Sequence, residues 1–324
     1  MAEIVCAKEL TRHYPQHSVK IDGRYPPVKA VDGVSFTLEE GEVLGVIGES
    51  GCGKSTLGRL LVQLERQDGG TLTIGGQNVS EMIRRDPRAF KRMVQIVFQN
   101  PFDTFNPRFT MLKSMTRPLA IHGIGKSDAE RAAMCAEALE SAGLSPAKDY
   151  LSRYPHELSG GQLQRISTLR AMMLQPRLLV ADEPVSMLDV SIRADVMNLL
   201  ERLKRERNMA MVLISHDLAT TRYIADRIAV MYLGRFVEVG PTEAVMRRPL
   251  HPYTQALLSN CGSIEGAEDY HPISIPGEPP VPIGAGPGCY FEPRCFRRCE
   301  ACRSEYPPLV EREPNHFVSC PYGG

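Results

Sequence analysis

The chain has 324 residues and a mass of 36.0 kDa, room for one large domain or two ordinary ones. Hydrophobic residues make up 43% and charged residues 23%, which excludes a collagen, a coiled-coil rod and a largely disordered chain. Lys+Arg and Asp+Glu are both 38, so the formal net charge is zero, without the basic excess usual in a nucleic-acid binder. The apolar runs Leu178–Ala181 and Met209–Ile214 fall far short of the roughly 20 residues of a membrane helix. The early Glu3 and the lack of an apolar leader core argue against secretion. Service to a membrane is therefore expected to come by docking from the cytosolic side.

Glu42–Ile47 is a short apolar run of buried-strand type. It leads into Gly48-Glu49-Ser50-Gly51-Cys52-Gly53-Lys54-Ser55-Thr56. Apolar residues then recur at Leu57, Leu60, Leu61 and Leu64, the spacing of a helix with one buried face. Strand, glycine loop and helix are the setting of a phosphate-binding loop. Glycines let successive backbone N–H groups converge on phosphate oxygens, and the helix N-terminus adds roughly half a positive charge. Lys54 supplies a point charge for the β- and γ-phosphates, and Ser55 a hydroxyl for Mg²⁺.

Leu158-Ser159-Gly160-Gly161-Gln162 precedes a predicted helix with apolar residues at Leu163, Ile166, Leu169 and Met173. Two readings fit: an anion-binding helix N-terminus facing the nucleotide of another subunit, and a Ser N-cap followed by a glycine turn. The predicted strand Leu178–Ala181 ends in Asp182-Glu183-Pro184. Carboxylates at the C-terminal edge of a parallel sheet lie where ligands bind. Asp182 is placed to hold the Mg²⁺ shell through water, and Glu183 to polarise the attacking water as general base. A third predicted strand, Met209–Ile214, ends in Ser215-His216-Asp217, with His216 a candidate hydrogen-bond partner of the γ-phosphate.

Composition changes near Gly240. Six of the nine cysteines (Cys261, Cys289, Cys295, Cys299, Cys302 and Cys320) and 14 of the 25 prolines follow it. The expectation is a regular α/β domain over 1–240 and a small, irregular Cys/Pro-rich extension over 241–324, held by something other than a large core. Cys289, Cys295, Cys302 and Cys320 are spaced C-x5-C-x6-C-x17-C, and Cys299 adds a C-x2-C pair with Cys302. Cytosolic thiols stay reduced, so disulfides explain this poorly. Four thiolates suit a [4Fe–4S] cluster or tetrahedral zinc, and unmetallated buried thiols are a third reading.

In order, Gly48–Thr56, Gln99, Leu158–Gln162, Leu178–Glu183, Ser186–Asp189 and His216 resemble the motifs of the ATP-binding-cassette ATPases. The resemblance implies a RecA-like P-loop core with an antiparallel β-subdomain and a helical subdomain inserted at about 100–158. It implies ATP and Mg²⁺, with Tyr14 stacked on adenine. Gly48, Ser50, Gly51, Cys52, Gly53, Lys54, Ser55 and Thr56 would surround the phosphates, and Ser55, Gln99 and Asp182 the Mg²⁺. Glu183, His216 and Gln99 would serve hydrolysis. Ser159, Gly160, Gly161, Gln162 and Asp189 would reach the nucleotide across a dimer. Met187 stands where this family more often has alanine.

The insertion Pro15–Lys29, the segment Phe102–Arg108, His251–Leu257 and the Pro-rich tail are similar to the F-type ATPase subunit of dipeptide and oligopeptide importers. This extends the resemblance over nearly the whole chain. It implies an ATPase that powers import of di- or oligopeptides through two separate permease chains. The implied partners are a second, D-type ATPase in a heterodimer and an extracytoplasmic substrate-binding protein, with no nucleic acid. The implied place is peripheral, on the cytoplasmic face of the inner membrane. A [4Fe–4S] cluster on Cys289, Cys295, Cys302 and Cys320 is implied as well. The alternatives are import of short oligosaccharides or nickel, and a soluble cassette ATPase uncoupled from transport.

Overall fold

The computed structural model describes residues 2–260 and 272–322, so Cys261 lies outside the described residues. In chain order the elements are β1 (Glu3–Tyr14), β2 (Val28–Glu39), β3 (Val43–Ile47), α1 (Lys54–Leu61), β4 (Gly69–Ile74) and β5 (Gln77–Asn78). Then come α2 (Val79–Arg85), α3 (Pro87–Met93), β6 (Val94–Val97), α4 (Met111–Ile121), α5 (Asp128–Ser141), α6 (Ala147–Leu151), α7 (Gly160–Met172) and β7 (Leu178–Asp182). They are followed by α8 (Val190–Arg207), β8 (Ala210–Ile214), α9 (Leu218–Ile224), β9 (Arg227–Tyr232), β10 (Arg235–Pro241), α10 (Thr242–Arg247) and α11 (Pro252–Ser259). The last are α12 (Ala301–Ser304), β11 (Val310–Glu313) and β12 (His316–Val318). The chain divides into two compact units. The first comprises Met1–Ile4, Glu39–Glu42 and Ile74–Val212, and the second Val5–Leu38, Val43–Thr73 and Leu213–Gly324.

In the first unit β6 and β7 pair in parallel, Val94 opposite Leu178 and Val97 opposite Ala181. The chain between them carries the helices α4, α5, α6 and α7. Thr110 and Ser127 cap α4 and α5 by accepting from the amides of Lys113 and Glu130. Asp128 and Glu130 add negative charge at the N-terminus of α5. α8 ends where Asn208 turns left-handed at φ 47°, with Lys204, Arg205 and Arg207 in its last turn.

In the second unit β1 lies between β2 and β4. β3 pairs in parallel with β9, Leu44 opposite Arg227 and Ile47 opposite Val230. All five residues of β3 are buried, the signature of a parallel strand covered on both faces. A Cβ at Gly45 would overlap the Thr221 side chain, so glycine is what lets α9 lie close on this strand. β9 continues antiparallel to β10, β10 to β12, and β12 to β11.

Two expectations change. The helix after the glycine loop ends at Leu61, because Gln63 turns left-handed at φ 55°, and Leu64 is 58% exposed rather than on the buried face. The tail is less irregular than its composition suggests. Tyr232, Tyr253 and Phe291 form an aromatic cluster with ring centroids 4.7, 5.2 and 5.4 Å apart. Glu238, wholly buried on β10, accepts from the amides of Leu250 and His251 and lies 2.7 Å from the His316 ring. That carboxyl group thus ties two tail segments, Leu250–His251 and His316, to β10 by hydrogen bonds, as a buried polar group requires.

Candidate active site

In the second unit β3 feeds the glycine loop. Gly48, Gly51 and Gly53 have φ of 152°, 78° and 107°, conformations that L side chains rarely adopt. A Cβ at Gly48 would overlap the Met231 carbonyl oxygen, and one at Gly53 the Ala30 carbonyl oxygen. Gly53 is also the N-cap of α1 and has no side chain to satisfy its first amides, which leaves them to an anion. Lys54 is 5% exposed, and its Nζ lies 2.8 Å from the carbonyl oxygens of both Gly48 and Glu49. A buried ammonium held by neutral carbonyls favours an anionic ligand. The loop therefore fits a polyphosphate. Burial pushes the Cys52 thiol above its ordinary pKa, so it sits in the loop as a neutral group.

Tyr14, at the end of β1, donates its hydroxyl to Glu65, and the Arg12 guanidinium stands 4.7 Å over one face of its ring. Burial raises the phenol's pKa, and the Glu65 carboxylate raises it further. His216 follows β8 on an exposed turn braced by its neighbours. Ser215 Oγ accepts from the Asp217 amide, and Asp217 caps α9 by accepting from the Ala219 and Thr220 amides.

In the first unit β7 delivers a buried Asp182 followed by Glu183 at φ 47°. A left-handed non-glycine residue costs on the order of 1–3 kcal/mol, and such strain clusters at working sites. Gln99 Nε2 donates to Glu183 Oε2 at 2.9 Å, so the structure brings these two site candidates together. Ser186 Oγ donates to the Glu183 carbonyl and tightens the turn. Asp189 is the N-cap residue of α8 but makes no side-chain cap hydrogen bond. Met187 and Val190 beside it are 62% and 81% exposed.

Ser159 caps α7 in a reciprocal box: its Oγ accepts from the Gln162 amide, and Gln162 Oε1 accepts from the Ser159 amide. Ser159 is thus a true N-cap, and Gly160 and Gly161 open the helix itself and form no separate turn. A Cβ at Gly161 would collide with Ile192 on α8, so this glycine also permits helix–helix contact.

Two residues of α7 make contacts that the sequence pattern does not announce. Gln164, fully buried, donates from Nε2 to the Phe98 carbonyl oxygen at 3.3 Å. Arg170 donates to the Thr104 carbonyl oxygen at 3.1 Å and lies 4.7 Å over the Phe105 ring; burial lowers its pKa to about 10. Together they pin the chain on both sides of Gln99, at Phe98 and at Thr104. The available signal was polar residues on what should have been an apolar helix face.

In the tail Cys289, Cys295, Cys299, Cys302 and Cys320 are free thiols. The Cys289 amide donates to the Cys302 carbonyl at 2.8 Å, and the sulfurs of Cys299 and Cys302 lie 3.5 Å apart. Burial raises the Cys289 thiol to about 12, and Cys302, Cys320 and Cys295 add to the rise, so the four expected ligands share one neighbourhood. Among the described residues, however, no group of three or more His, Cys, Asp or Glu side chains is arranged to hold a metal ion. The donor chemistry suits a cluster or zinc; the side-chain arrangement is not that of a formed site. Also among the described residues, no helix is long and apolar enough to cross a membrane.

The ABC transporter family profile matches residues 31–186, and that of the oligopeptide/dipeptide transporter C-terminal region matches residues 237–302. The Di/tripeptide transport ATP-binding protein DppF of Pseudomonas aeruginosa is 46% identical over 309 residues, 95% of this chain and 94% of that protein. The Dipeptide transport ATP-binding protein DppF of Escherichia coli is 44% identical over 320 residues, 97% of this chain and 92% of that protein. Among solved structures, the ATP-binding cassette MJ0796, captured as a post-hydrolysis dimer with ADP and Pi, is similar with a TM-score of 0.66 and 26% identity, covering 74% of this chain and 99% of that one. The α/β cassette fold expected from the motifs is therefore the fold observed.

Proposed function

This chain belongs to the ATP-binding-cassette ATPases of the oligopeptide/dipeptide transporter group, and from that premise we propose how its residues divide the work of peptide import. It is the ATP-hydrolysing subunit of a di- or oligopeptide importer, working with membrane permeases and a substrate-binding protein. The observation that carries the ATP-binding role is the buried Lys54 ammonium beneath the uncapped N-terminus of α1.

Lys54, Ser55, Thr56 and the amides of Gly48, Ser50, Gly51, Cys52 and Gly53 hold the triphosphate, where positioning and electrostatics supply most of the rate gain. Tyr14 stacks on adenine with the ring face that Arg12 leaves free. Ser55, Asp182 and Gln99 hold Mg²⁺, which when bound neutralises charge on the phosphate oxygens. Glu183 takes a proton from the attacking water, and Gln99 fixes the carboxylate through its 2.9 Å hydrogen bond. His216 hydrogen-bonds the γ-phosphate from its exposed turn.

Ser159, Gly160, Gly161, Gln162 and Asp189 serve the nucleotide of a second cassette subunit in a heterodimer. The exposed Met187 and Val190 support a contact there. The assembly works at the cytoplasmic face of the membrane, and residues 241–324 act as its C-terminal extension. Cys289, Cys295, Cys302 and Cys320 take a [4Fe–4S] cluster that cross-links this extension; their thiol chemistry and shared neighbourhood support this. Iron and acid-labile sulfide in anaerobically purified protein test the cluster, and a folded, iron-free sample refutes it. ATP turnover by the complete importer, stimulated by peptide-loaded binding protein and lost when this chain carries Glu183→Gln, tests the whole reading.

A further inference from the structure

The C-terminal extension touches the nucleotide loop itself. Arg294, one residue before Cys295, reaches back across 245 positions to form a two-pronged ion pair with Glu49, Nη1 to Oε2 at 2.8 Å and Nη2 to Oε1 at 3.1 Å. Arg294 is buried and anchored, donating to the carbonyl oxygens of Pro276 and Gly277 as well as to the Tyr232 hydroxyl. From α11 the Tyr253 hydroxyl accepts from the Glu49 amide at 2.8 Å. That amide shares a planar peptide with the Gly48 carbonyl, whose oxygen Lys54 Nζ holds at 2.8 Å. Tyr253 and Lys54 thus grip opposite edges of one peptide unit. Tyr253 cannot swing away, since its ring is fully buried against Tyr232 and Phe291.

We infer that Arg294 and Tyr253 are positioning residues for ATP, acting through Glu49, so that the C-terminal extension sets the nucleotide affinity of the loop. Two physical effects combine. The loop is held in place before the ligand arrives, so less ordering is lost on binding. The guanidinium also offsets the Glu49 carboxylate, which otherwise repels the approaching phosphates. The extension is itself fastened nearby: the Tyr290 hydroxyl donates to Asp32 at 2.9 Å, and Arg235 lies 4.2 Å over the Tyr306 ring. The order of the cysteine-bearing extension is in this way carried to the phosphate site by named side chains.

The inference rests on the ATP-binding reading above. Its test is equilibrium titration of the full chain with a fluorescent ATP analogue and Mg²⁺, which reads the loop whether or not the importer turns over. Arg294→Gln should raise Kd roughly 10-fold, the scale for losing a charge-assisted bond, and Arg294→Lys, which keeps the charge without the fork, by less. Tyr253→Phe, which removes one oxygen, should raise Kd roughly 3-fold. In a Glu49→Gln background the Arg294→Gln effect should shrink, as for groups acting through one another. Arg303→Gln breaks the Arg303–Glu292 ion pair in the same extension, and Kd should not move. A purely structural role would lower the melting temperature of Arg294→Gln while leaving Kd alone. Wild-type affinity in both Arg294→Gln and Tyr253→Phe overturns the inference; if Arg294→Gln does not fold, wild-type affinity in Tyr253→Phe does so alone. A wild-type chain that binds no nucleotide refutes the ATP-binding reading and the inference with it, whereas tight wild-type binding with unmoved variants refutes the inference alone.

Discussion

Replacing Glu183 by Gln keeps the length of the side chain and removes its acidic group, and with it the capacity to take a proton. The amide keeps an oxygen that can accept from Gln99 Nε2 where Oε2 now does at 2.9 Å. The left-handed backbone at φ 47° is no more strained for Gln than for Glu, and the brace from Ser186 Oγ goes to the main-chain carbonyl. Stability and ATP affinity should therefore stay near those of the parent chain. Turnover should fall by roughly 10²-fold or more, or about 2.7 kcal/mol of barrier. The assay is phosphate release by the complete importer at saturating ATP, with nucleotide affinity measured beside it. A variant that binds ATP normally and hydrolyses it within about 3-fold of the parent refutes the general-base assignment. Weakened binding with unchanged turnover refutes it too, by moving Glu183 into ground-state recognition.

Lys54→Ala should weaken ATP binding as well as turnover, because a buried ammonium aimed at the loop carbonyls is lost; unchanged affinity by titration counts against its phosphate role. Gly161→Ala should destabilise the first unit by about 1–3 kcal/mol through its collision with Ile192, read as a drop in melting temperature. Asp32 sets an acid limit: burial pushes its carboxyl up, but the Tyr290 and Arg235 hydrogen bonds and the Lys29 charge outweigh that and hold it at about 2, below the ordinary 3.8. Its depressed pKa contributes about 2 kcal/mol that is present above pH 3.8 and lost as pH falls through about 2. Acid titration of stability should show that loss in the parent and not in Asp32→Asn.

The motifs were legible because they are local. Glu42–Ile47, Leu178–Ala181 and Met209–Ile214 each announce a strand by a short apolar run, and β3, β7 and β8 begin and end within a residue of them. Glycines with positive φ mark the loop that follows β3. What stayed hidden depends on pairing across long separations. Nothing in the spacing of Arg294 relates it to Glu49, 245 residues earlier, or Tyr253 to the same residue, 204 earlier. Gln164 and Arg170 read as interruptions of an apolar stripe until the carbonyls of Phe98 and Thr104 are seen to take their donors. The strand β11, Val-Glu-Arg-Glu, carries too little apolar character to announce itself, and β12 is recognisable only once β10 offers it an edge. Leu64 shows the converse error, an apolar residue in perfect helical spacing left outside by a single left-handed turn at Gln63.

ATP-driven uptake of a labelled dipeptide into vesicles bearing the reassembled importer tests the central claim most directly. Uptake should require ATP, this chain and the binding protein together, and should vanish with Glu183→Gln. Uptake that persists when this chain is omitted, or that proceeds undiminished with Glu183→Gln, contradicts the account.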